Sequence, residues 1–94
     1  MTAHHYTFTD NVAMHEVEAS LLLSIWATES LHGESQVRLD AAHVLDEDER
    51  SLVIDSDTNV GCDLNRILIG FLRREFRATD FEVRRCETPV AASV

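Results

Sequence analysis

The run Leu52-Val53-Ile54-Asp55-Ser56-Asp57-Thr58-Asn59-Val60 decides the fold, because the hydrophobic period changes inside it. Before Asp55, Leu52 and Ile54 share one face, the alternation of a half-buried strand over 50–55. After Asn59 the apolar residues return as Val60, Leu64, Ile67, Leu68, Phe71 and Leu72, spaced to line one side of a helix over 59–77. Between them, Asp55, Ser56, Asp57, Thr58 and Asn59 are all residue types that start helices. Gly70 interrupts this helix at a cost of about 1 kcal/mol relative to alanine, and marks either a close backbone approach or nothing.

Upstream, Asp46-Glu47-Asp48-Glu49 reads as a solvated turn, and residues 35–45 as the partner strand of a hairpin. Val37, Leu39 and Ala41 would face one way, Arg38 and Asp40 the other. Further upstream, Met14, Val17, Leu21 and Ile25, widened by Leu22 and Trp26, give the stripe of a helix over 11–32. Glu16, Ser20 and Ser24 fall opposite. Thr9, Asp10 and Asn11 offer caps, and Gly33 suits the end. Leu23, Ala27 and Leu31 lie outside the stripe, more apolar surface than one sheet face requires. Tyr6 and Phe8 predict a short strand over 5–9, and Phe81 and Val83 a last strand over 81–86. Residues 87–94 read as a loose tail.

The order predicts a single α+β domain over 1–86, with two helices packed on one face of a small mixed antiparallel sheet. Either β-α-β-β-α-β closes as a ferredoxin-like sandwich, or α-β-β-α-β leaves a sheet for a second chain to complete. Known versions of that sandwich fit poorly. No aromatics sit on Leu52-Val53-Ile54 to stack RNA bases. No cysteine pair precedes the first helix to carry a metal, and no arginine stands in Thr9-Asp10-Asn11 to cradle an acyl phosphate.

Seventeen acids stand against eight bases, all arginine, for a net charge of −9. Residues 1–57 hold 12 acids and two bases; residues 58–94 hold five acids and six bases. The apolar runs are too short for any transmembrane helix to fit, and no basic-flanked apolar leader is visible, so a cytoplasmic protein is expected. Cys62 and Cys86 read as reduced thiols.

Three constellations carry candidate chemistry. Asp55, Asp57, Asn59 and Asp63 fall near calcium-loop spacing, but Gly61 is one position late and Arg66 stands where a bidentate glutamate belongs. Helix capping accounts for these residues more simply. The same aspartate pair resembles the first motif of aspartate-nucleophile phosphatases, a family whose domain is much larger than 94 residues and whose motif is not matched at Asn59. His15 with Glu18 and Glu29 with His32 each share a helix face, too few ligands for a carboxylate-bridged metal site. Arg66, Arg73 and Arg77 line the outer face of the second helix, with Arg84 and Arg85 beyond. The acidic balance and the absence of interleaved aromatics argue against nucleic acid as a partner, leaving a solvated face or a contact for carboxylates.

The expectation is therefore a non-catalytic interaction or assembly module without cofactors, self-associating through Leu23, Trp26 and Leu31 and contacting carboxylates through Arg66, Arg73 and Arg77. The alternative is a regulatory domain binding a small ligand or divalent cation at residues 55–63. Trp26 separates two cases: a core tryptophan would cost about 3–5 kcal/mol on truncation to alanine, an interface anchor would cost association instead.

Overall fold

The structure, a computed structural model, describes residues 2–87. Strand β1 (Thr2–Phe8) is followed by helices α1 (Met14–His32) and α2 (Glu34–Asp40), strands β2 (His43–Asp46) and β3 (Ser51–Asp55), helix α3 (Asn59–Glu75) and strand β4 (Phe81–Glu87). The sheet order is β2-β3-β1-β4. Every neighbouring pair is antiparallel, so the expected mixed sheet contains no parallel pair among the described residues. The topology is the ferredoxin-like one with α2 inserted before β2. Strand β1 is longer than its two aromatics suggest and occupies the centre. Of the expected tail, Glu87 belongs to β4 and residues 88–94 lie outside the described residues.

Alternation drives the sheet. Tyr6, Leu52 and Ile54 are fully buried beneath the helices, with Phe8 close behind. Register sets Val83 beside Tyr6, Phe81 beside Phe8 and Leu45 beside Leu52 on that inner face. The Phe8 and Phe81 ring centroids lie 6.4 Å apart, within the range of favourable aromatic pairs. From α3, Val60, Leu64, Leu68 and Leu72 complete the core. Thr58 caps that helix by accepting the Gly61 N–H at 2.9 Å, as the polar run predicts. Helix α3 ends at Glu75, so Arg77 lies beyond it.

Helix α1 departs from its expected orientation. Its buried side carries Ser20, Ser24 and Thr28 beside Met14, Val17 and Leu21, while Leu22 and Trp26 are exposed. The hydroxyls explain how this is possible: Ser24 Oγ and Thr28 Oγ1 each donate at 2.7 Å to the carbonyl four residues earlier, so burial strands no donor. Short side chains there also permit close packing on α3, the main helical neighbour of α1. The start of α1 is later than expected. Thr9, Asp10 and Asn11 form a turn in which Val12 N–H donates to Thr9 O, and Ala13 occupies the cap position without a side-chain bond.

Residues 34–40 are helical, where the sequence reading expects a strand. Gly33 (φ 88°) breaks α1, and the chain resumes a helix in which Val37 is buried and Leu39 is 77% exposed. Val37 and Ala41, four apart, are the inward pair. The Glu34–Arg38 ion pair at 2.7 Å and the Gln36–Asp40 hydrogen bond are both i,i+4 contacts, which strands cannot make. Strand β2 is thus reduced to four residues. Gly70 has open space around it, whereas Gly61 sits so close to β3 that a Cβ would overlap the Asp55 carbonyl.

Candidate functional site

Once α1 has docked, its outward side remains apolar. Leu22 and Trp26 stand one turn apart, and Leu23 and Leu31 two turns apart, at 46%, 54%, 49% and 67% exposure. Ala19 and Ala27 complete the strip. Four large side chains so exposed make a patch on the order of several hundred Å², the size that marks interaction surfaces. A helix apolar on both sides is ordinarily covered on both. Among the described residues nothing covers this one. Leu39 and Val44 are further exposed apolar residues, on α2 and on the uncovered side of β2.

The arginines do not form one row. Arg66 and Arg73 are exposed on α3, but Arg77 belongs to the connection to β4, where its N–H donates to Asp80 Oδ2 at 3.1 Å. Arg84 and Arg85 point to opposite faces of the sheet, paired with His5 and His4 respectively. Glu18 is exposed, and His32 pairs with Asp63 of α3 at 2.7 Å instead of meeting Glu29.

The candidate cation ligands are likewise distributed among local tasks. Asp55 Oδ1 accepts from the Asp57 N–H at 2.9 Å, and Asp57 Oδ1 from the Thr2 N–H at 2.8 Å. Asp63 holds His32 and lies 4.0 Å from Arg66. Asn59 is exposed in the first turn of α3. No three acidic, histidine or cysteine side chains converge as metal ligands among the described residues. Asn65, polar within the α3 stripe, is buried as a bridge: it accepts the Tyr6 hydroxyl and donates to Gly61 O at 2.8 Å. Burial pushes the Tyr6 phenol well above its ordinary range.

Beside this junction lies a hollow of about 230 Å³, lined by His4, Ser56, Cys62, Asn65, Arg66, Ile69 and Arg85. Its lining was scattered through the sequence reading or missing from it, because only the β1–β4 register brings His4 and Arg85 together. The imidazole is held below its ordinary pKa by burial first and by the Arg85 charge second. Cys62 donates its thiol to Ser56 O at 3.2 Å. A larger hollow of about 370 Å³ at the opposite end, around Phe8, Thr79 and Phe81, has Glu82 as its one titratable side chain. No described helix is long and apolar enough to cross a membrane. Comparison with known protein families, curated proteins and solved structures finds no match for this chain.

Proposed function

We propose that the chain is a non-catalytic assembly module that pairs with a second copy of itself through the outward side of α1. The observation that carries this reading is the Leu22–Leu23–Trp26–Leu31 strip, left open on a helix whose other side is already buried. A second copy is the favoured occupant because the strip can match itself. Two molecules of net charge −9 repel, so a two-fold interface, which sets a patch against itself, must form where that patch is uncharged. The centre of this strip carries no charge, so it can meet its own image without opposing carboxylates. Trp26 has the position and chemistry of a central anchor.

Sedimentation velocity between 1 and 100 μM, roughly the affinity range of modest interfaces, tests this. Wild type should sediment at twice the chain mass in the upper part of the range, and Leu23→Asp at the chain mass with an unchanged circular dichroism spectrum. A wild-type monomer throughout, or a dimer indifferent to Leu23→Asp, refutes the reading.

A further inference from the structure

We propose that the hollow between β1, β4 and the first turns of α3 binds a phosphate group, held by Arg66, Arg85, Ser56 and His4. The site is independent of the α1 surface and stands on three observations.

The first is unmet hydrogen-bonding capacity. His4 Nδ1 and Ser56 Oγ are both buried atoms without a hydrogen-bond partner among the described residues. Both line the same hollow, and an unsatisfied buried polar group costs about 1–3 kcal/mol. An acceptor oxygen in the hollow would take the Ser56 O–H, and an Nδ1–H tautomer of His4 would supply a second donor.

The second is charge. Arg66 and Arg85 line the hollow and no carboxylate does. Arg85 forms no ion pair among the described residues, and the nearest partner of Arg66 is Asp63 at 4.0 Å, whose other oxygen is held by His32 at 2.7 Å. Two guanidinium groups, a hydroxyl and an imidazole together offer more donors than a carboxylate can accept. They suit a tetrahedral dianion that arginine forks can grip in pairs.

The third is shape. The hollow has a rigid floor, because His4 and Arg85 are paired across adjacent antiparallel strands. Its wall is the α3 turn fixed by Asn65, and Ile69 gives one apolar side. Its volume of about 230 Å³ accommodates a phosphate together with part of the group that carries it.

The test is a ¹H–¹⁵N NMR titration of the full chain at pH 7 with inorganic phosphate and, separately, with glycerol phosphate. Saturable shifts should centre on the amides of His4, Ser56, Cys62 and Arg85. Tighter binding of glycerol phosphate would assign the site to a phosphate monoester, and equal binding to the free ion. Arg85→Gln should weaken binding about tenfold or more. Arg66→Gln, at a side chain 83% exposed and so harmless to folding, should weaken it in the same direction. Absence of saturable shifts at those amides in wild type, or affinities unchanged in both variants, overturns the proposal.

Discussion

Single side chains at the strand–helix junction set the precision of this fold. Gly61 lets α3 lie against the end of β3, and Gly61→Ala should destabilise by about 1–3 kcal/mol through overpacking, read as a lowered urea midpoint with an unchanged m-value. Gly70→Ala, in open space, should stabilise by up to about 1 kcal/mol. Tyr6→Phe leaves the Asn65 oxygen without its donor and should cost about 1–3 kcal/mol. The raised Tyr6 pKa adds a sign: folding favours the protonated phenol, so its contribution is complete below the ordinary value near 10 and falls as pH rises above it. His4 works at the other end of the scale. Its folded pKa lies below the ordinary 6.5, so between those values the unfolded chain binds more protons. Stability therefore declines as pH falls through that window. His4→Gln should flatten this part of a denaturation-versus-pH profile; an unchanged slope would assign it to other groups.

At the level of elements, the change of period at Asp55 makes β3 and α3 legible, because alternation and helical spacing are both strong there. Residues 34–40 mislead because Val37, Leu39 and Ala41 also fit period two. What separates the readings is that Gly33 ends one helix without turning the chain toward the sheet, leaving enough chain for another turn of helix. Substitution discriminates them: Val37→Ala should cost about 1 kcal/mol or slightly more, while Leu39→Ala, exposed in the helix, should be within about 0.5 kcal/mol of wild type. The serines of α1 are the second source of error. Polarity alone puts Ser20 and Ser24 outward, yet both are small enough to pack inside, and Ser24, like Thr28, satisfies its hydroxyl on the α1 carbonyl four residues earlier; this rotation carries Leu22 and Trp26 into the open. The β2–β3 turn contributes a contact that sequence spacing cannot reveal. Arg50 (φ 53°) reaches back to the carbonyls of Phe8, Thr9 and Val12, tying the β1–α1 connection to the hairpin. Its loss in Arg50→Ala should lower stability by about 1–3 kcal/mol.

For the molecule as a whole, the two surfaces separate by chemistry: an uncharged apolar strip on α1 and a cationic hollow beside α3. The phosphate hollow was illegible in sequence because its lining comes from four separated segments. The surplus of α1 was partly visible in Leu23 and Leu31. Salt distinguishes an apolar association from one made by Arg66, Arg73 and Arg77 meeting carboxylates. Screening weakens the mutual repulsion of two acidic molecules, so an α1-mediated dimer should tighten between 20 and 500 mM salt, whereas arginine–carboxylate contacts would loosen. The most direct measurement uses the fact that Trp26 is the single tryptophan of the chain. Its emission maximum, followed on serial dilution, reports the interface itself. The account predicts a blue-shifted maximum at high concentration that moves to the red as the dimer separates. A maximum typical of water-exposed tryptophan at every concentration would contradict it.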